Sequence, residues 1–167
     1  SEFRYSDPIV EDGTLAIVIS QSGETLDTMA AMREIKSLGA RVLSIVNVVG
    51  STIAREADDV IYTWAGPEIA VATTKAYSTQ LAVVSQLGIY MADQRGTITP
   101  EYYAALVAEL ERLPDKAARV LEEQSEIQHF ASRFFNHNSI FFIGRNLDYA
   151  TGMEGSLKLK EISYIHS

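Results

Sequence analysis

Between Ser20 and Thr25 the chain reads SQSGET, which sets two serine hydroxyls, a threonine hydroxyl, a glutamine amide and a glycine within six residues. An unbroken apolar run, Leu15 to Ile19, precedes them, and a helix-forming segment comes after. A strand that empties through small hydroxyl residues into a helix start gathers backbone N–H groups and O–H donors around one point. That chemistry suits an anion, most simply a phosphate, held without Lys or Arg. Simple capping is the other reading, in which Ser22 caps the helix and the other hydroxyls face water. Spacing alone leaves both open.

A second group of candidates lies near the end, where Glu154, Lys158, Lys160 and Glu161 share a segment of helical character. Residues three and four apart lie on one helix face, so the spacing by itself describes a solvated face with salt-bridge pairs.

Composition narrows the partners. The 167 residues carry 14 Lys and Arg against 22 Asp and Glu, a net charge of −8. Binders of nucleic acid neutralise backbone phosphates with clustered basic residues, so nucleic acid is not expected here. A small phosphorylated ligand remains compatible, because a helix start can hold it in an acidic protein. The chain has no Cys, which removes disulfides, Cys-based metal sites and a Cys nucleophile and suits a reducing cytoplasm. No cofactor or metal is expected. There is no signal-peptide pattern at the start, and no apolar run reaches the roughly 18 residues of a membrane span, so no membrane partner is expected.

These candidates need elements to position them. Leu15–Ile19, rich in β-branched residues, reads as a strand buried on both faces of a parallel sheet. From Thr25 a helix carries Leu26, Met29, Ala30, Met32, Ile35 and Leu38, with Lys36 in its last turn and Gly39 as its stop. Arg41–Asn47 is a second strand, Val48–Glu56 a loop opening one helical turn, and Asp59–Trp64 a third strand. This alternation predicts an α/β fold, a doubly wound parallel sheet flanked by helices. The loop 65–74 ends in Thr73 and Thr74 and leads into a long helix with Tyr77, Leu81, Val84, Leu87 and Met91. That helix is apolar over more than one face, so the pattern predicts it to be buried. Ligands of doubly wound sheets sit at the carboxyl ends of strands, where two such loops would converge.

Gly96–Pro100 breaks the chain. A short helix to Leu113 is expected to end at Pro114, and a longer one to run from Asp115 to about Asn136. Ser139–Ile143 reads as a fourth strand, and Tyr149–Ser167 as a last helix with no stop signal. The expected division is 1–98, 99–114 and 115–167. One lone strand with two helices cannot bury its own faces. A dimer is therefore expected to cover the apolar surface.

Five stretches, SEFRY at 1–5, SQSGET at 20–25, NVVGS at 47–51, AGPEIAVATTKA at 65–76 and EGSLKLKEISYIH at 154–166, carry a resemblance. They resemble the isomerase part of the glutamine–fructose-6-phosphate aminotransferase family, the glucosamine-6-phosphate synthases, which is built from two sugar isomerase (SIS) domains of flavodoxin-like fold. The resemblance covers nearly the whole chain in order. SQSGET alone marks the SIS superfamily, and the last two stretches point to the synthases.

The resemblance implies that Ser20, Gln21, Ser22 and Thr25 hold the phosphate of fructose 6-phosphate or glucosamine 6-phosphate. It implies that Val71 and Thr73 touch the sugar, Thr73 standing where the family usually has Ser. It implies that Glu161 moves a proton between C1 and C2 of the sugar, as a positioned base must, and that Lys158 steadies that carboxylate or the sugar oxygens. Other parts of the family pattern fall outside this sequence. These are an opening strand with a Gly-Thr-Ser turn, a Lys-His-Gly-Pro segment, a C-terminal Schiff-base Lys and a glutaminase half. His166 is not the family's ring-opening histidine. A piece of this kind is expected to bind a sugar phosphate weakly and not to turn over. Two alternatives stand beside it. One is another SIS enzyme, an aldose–ketose isomerase or deglycase. The other is a non-catalytic sugar-phosphate sensor, which would be expected to bring a basic helix-turn-helix segment.

Overall fold

A computed structural model describes residues 2–167, in two compact units that divide between Pro100 and Glu101. In the first unit a single 3-10 turn, Glu2–Tyr5, precedes strand β1, Leu15–Ser20. Helix α1, Leu26–Ser37, comes next, then strand β2, Arg41–Val46. The short helix α2, Thr52–Glu56, leads to strand β3, Asp59–Tyr62, and the unit closes with helix α3, Lys75–Gln94.

The three strands form a parallel sheet in the order β1-β2-β3, with Ile17 beside Leu43 and Ile45 beside Ile61. Strand partners at the same level point to the same face. One face therefore offers Ala16, Val18, Val42, Val46, Val60 and Tyr62 to Met29, Met32 and Ile35 of α1 and to Ile53 and Ala54 of α2. Met32, Val42, Val46 and Ile53 are fully buried there. Gly39, at φ +94°, ends α1 in the left-handed region that glycine adopts without strain. Its N–H donates to the Lys36 carbonyl, and Arg41 then enters β2.

Three expectations about these elements are corrected. β1 is an edge strand and is not buried on both faces. Leu15, Ile17 and Ile19 are each more than two-fifths exposed, whereas Val42 to Val46 of the central β2 are all buried. β3 stops at Tyr62. Thr63 still donates to the Val46 carbonyl, but Trp64 turns to φ +52° and leaves the sheet. Helix α3 is half-exposed rather than enclosed: only Ala76 and Val83 are buried, and Leu81, Val84, Tyr90 and Met91 face outward.

The second unit is helical. Helix α4, Pro100–Glu111, begins on the last residue of the first unit and is followed by α5, Leu113–Glu122, and α6, Gln124–Phe134. Only Arg112 and Glu123 separate them, so Pro114 does not end a helix by a loop. It sits in the first turn of α5, where its missing N–H has no intrahelical partner to lose. The long helix expected over 115–136 is broken at Glu123.

The fourth strand is absent among the described residues. Ser139 forms one isolated parallel bridge with His166, with Ile140 N–H to the His166 carbonyl at 2.9 Å and His166 N–H to the Asn138 carbonyl at 3.2 Å. A strand needs a neighbour along its length, and here one residue supplies it. Helix α7, Leu147–Ser163, stops because Tyr164 enters the left-handed region at φ +60°. His166 consequently lies beyond the helix. Gly155 of α7 leaves room for the Phe142 ring: a Cβ there would come within 3.0 Å of it.

Candidate functional site

The loop after β1 is closed on itself. Ser20, 6% exposed, accepts the Gly23 N–H on its Oγ at 3.0 Å and shares a 3.0 Å hydrogen bond with the Thr25 hydroxyl. Ser22 Oγ accepts the Glu24 N–H at 3.2 Å. Thr25 is the residue before α1, in extended backbone, and its carbonyl accepts the Met29 N–H at 2.9 Å. Its side chain makes no cap bond. Ser22 therefore does not cap α1, and the first-turn N–H groups of α1 receive no side-chain acceptor from the N-cap residue.

Three bonds tie this loop to the segment between β2 and β3. Gln21 accepts the Asn47 N–H at 3.1 Å and Gly23 the Ile53 N–H at 3.0 Å, both on their carbonyls. Glu24 Oε1 accepts the Thr52 N–H at 2.7 Å. That bond, with Arg55 nearby, holds the Glu24 carboxyl below the usual carboxylate range. Gly23, at φ +67°, has no room for a side chain, because Ser51 stands against it. The Ser51 hydroxyl is buried and has no hydrogen-bond partner.

Asn47 holds the second loop as well. Its Oδ1 accepts the Thr63 hydroxyl at 3.1 Å and the Ala65 N–H at 2.9 Å, and its Nδ2 donates to the Gly66 carbonyl at 2.7 Å. Further on, Glu68 accepts the Ala70 N–H at 3.3 Å, the Thr74 N–H at 3.2 Å and the Ala76 N–H at 3.4 Å. Burial pushes this carboxyl up, but the three N–H donors and Lys75 outweigh it and bring it below the usual range. On that loop Val71 is fully exposed and Thr73 half-buried.

In the second unit, Lys158 places its Nζ 3.0 Å from Glu161 Oε2 and 3.3 Å from Glu154 Oε1, on one face of α7. Its side chain is only 25% exposed. The Glu161 hydrogen bond, against some desolvation and with help from Glu154, raises the Lys158 pKa, so the ammonium stays charged. A carboxylate set beside a fixed ammonium on a rigid helix can take a proton from a carbon acid and return it. Among the described residues no group of three His, Asp or Glu side chains could hold a metal ion.

Of the residues expected in the site, Ser20, Gln21, Ser22 and Thr25 lie together at the end of β1 and in the loop after it, Val71 and Thr73 lie on the second loop, and Lys158 and Glu161 lie on one face of α7. Sequence reasoning missed Glu24, Asn47, Ser51 and Glu68. Glu24 reaches 28 residues along the chain and Asn47 up to 19, distances at which no local template applies. Asn47 carried one signal, an amide side chain placed directly where a strand gives way to a loop.

A family model for the SIS domain matches residues 1–90. The whole chain is 56% identical to a glutamine–fructose-6-phosphate aminotransferase (isomerizing) of Clostridium acetobutylicum and 58% identical to that of Clostridium tetani, spanning 28% of each. Among solved structures, the C-terminal domain of glucosamine-fructose-6-phosphate aminotransferase from Francisella tularensis superposes with a TM-score of 0.93 at 39% identity. That superposition covers 99% of this chain and 47% of the other. The chain thus spans about a quarter of the length of the curated relatives it matches.

Proposed function

Because the chain belongs to the SIS domain family, we propose that it is sugar-phosphate-binding isomerase sequence of an enzyme that makes glucosamine 6-phosphate from fructose 6-phosphate and glutamine. The observation that carries this reading is the loop Ser20–Thr25. It stands at the carboxyl end of β1 and leads directly into α1, with the Ser20 and Thr25 hydroxyls 3.0 Å apart. One hydroxyl of that pair donates to the other and leaves the second O–H free; with the Ser22 O–H and the positive end of α1 behind them, such donors favour a phosphoryl group over a neutral sugar. In this reading Ser20, Gln21, Ser22 and Thr25 take the phosphate, and Val71 and Thr73 touch the sugar. Glu161 shuttles the proton between C1 and C2, and Lys158 steadies its carboxylate through the 3.0 Å contact.

Identity above one half over the whole of this chain, to about a quarter of each aminotransferase, favours this reading over another SIS isomerase or a sensor. Within it, residues 1–98 form a first SIS domain, 99–114 the connection, built from α4 and the first residues of α5, and 115–167 the start of a second. The protein works as a homodimer in a reducing cytoplasm, without nucleic acid or membrane. Exposed Phe141, Ile143 and Leu147 support the dimer, since large apolar side chains in number mark a surface that a partner covers. No helix among the described residues is long and apolar enough to cross a membrane.

Calorimetric titration tests the reading. Fructose 6-phosphate should bind saturably and fructose should not; an equal response to the two, or to neither, refutes it. Light scattering should return twice the chain mass, and a stable monomer counts against the dimer.

A further inference from the structure

A carboxylate inside a loop that holds a phosphate is a like charge in the wrong place, and Glu24 is such a residue. Its environment resolves the conflict. The hydroxyl of Ser51, the N-cap residue of α2, makes no cap bond and lies buried against Gly23 without a partner. Glu24 supplies an acceptor for the first N–H of that helix from across the chain, taking the Thr52 N–H at 2.7 Å. Arg55, which donates to the Thr52 hydroxyl at 3.1 Å, adds a positive charge nearby. The charge of Glu24 is thereby directed at α2 and Arg55. The adjoining bond from the Ile53 N–H to the Gly23 carbonyl fastens the middle of the loop to the same helix turn. Ser22 and Thr25 flank these two anchored residues.

We propose that Glu24 is a positioning residue of the phosphate-holding loop: its carboxylate pins the loop to the first turn of α2 and so fixes the spacing of the Ser22 and Thr25 donors. This rests on the sugar-phosphate reading of the loop. A hydrogen bond to a charged acceptor orders both partners, and donors already in place bind more tightly than donors that must first be ordered.

The test uses the full chain with Glu24→Ala and Glu24→Gln, titrated with fructose 6-phosphate and compared by thermal melting. Glu24→Gln keeps an acceptor for the Thr52 N–H and should bind within about twofold of the parent, whereas Glu24→Ala should bind about tenfold more weakly. Amide exchange at Thr52 should quicken in Glu24→Ala, while exchange at Val42 in the central strand stays as in the parent. Unchanged or tighter binding by Glu24→Ala overturns the proposal, since a carboxylate that merely repelled phosphate would give that result. Equal weakening in Glu24→Gln also overturns it. Should the parent chain itself fail to bind fructose 6-phosphate, the sugar-phosphate reading falls, a result distinct from either of these.

Discussion

Gly23 and Ser51 stand so close together that a methyl group on Gly23 would overlap the serine's Cβ and hydroxyl. Because Gly23 also occupies the left-handed region at φ +67°, two independent constraints select glycine there. Gly23→Ala should cost roughly 2 to 4 kcal/mol, from overpacking together with the conformational penalty. Pairing it with Ser51→Gly removes the collision but not the backbone strain, so the double variant should regain about half the loss. Denaturant unfolding measures both, and a double variant no more stable than Gly23→Ala contradicts the packing argument.

Ser51 by itself should tolerate truncation. Its hydroxyl is buried with no partner, and Glu24 already supplies the acceptor at the start of α2. Removing an unsatisfied buried group relieves its desolvation cost, so Ser51→Ala should be neutral or more stable by about 1 kcal/mol. A Tm lowered by several degrees would show that the hydroxyl has a partner after all.

In the proposed phosphate site, Ser22→Ala and Thr25→Val should each weaken fructose 6-phosphate binding by on the order of 1.5–3 kcal/mol, the range for a hydrogen bond to a charged group. Thr25 is exposed, Ser22 is half-buried, and neither belongs to the apolar core, so the circular dichroism spectrum should not change. Two variants with parental affinity would remove the loop from the binding site.

Acid should loosen the first unit in a defined window. Asp58 is held below its usual range, first by its hydrogen bond from Lys36 and then by the Val42 N–H, at 2.8 and 2.7 Å. Glu56 is lowered chiefly by its bond from Arg33, and Glu24 chiefly by the Thr52 N–H. Each folded value lies below the unfolded one, so the contribution is complete above the unfolded pKa, about 4, and is lost as pH falls through the folded value. Tm should stay level from neutral pH to about 4 and drop below it. Asp58→Asn should lower Tm at pH 7 and flatten the acid decline; a parent whose main loss falls between pH 6 and 5 does not fit.

How much of the fold and the site is legible in the chain alone depends on the range of the interaction concerned. Leu15–Ser20, Arg41–Val46 and the helix ending at Gly39 arise from apolar runs, β-branched residues and a glycine stop, all local signals, and the structure places them within a residue or two. The order of hydroxyls in SQSGET is likewise a property of the chain alone. What local pattern could not supply was partnership. β1 reads as a doubly buried strand, yet it is exposed because it lies at the sheet edge. Ser139–Ile143 reads as a strand, yet it needs a neighbour and finds only His166. Glu24, Asn47 and Ser51 look like ordinary loop residues until folding sets Thr52, Ala65 and Gly23 against them. Short-range periodicity thus determined the elements and the donors. Contacts between residues far apart in the chain, which the tertiary fold alone creates, decided which elements are buried and how the donors are held.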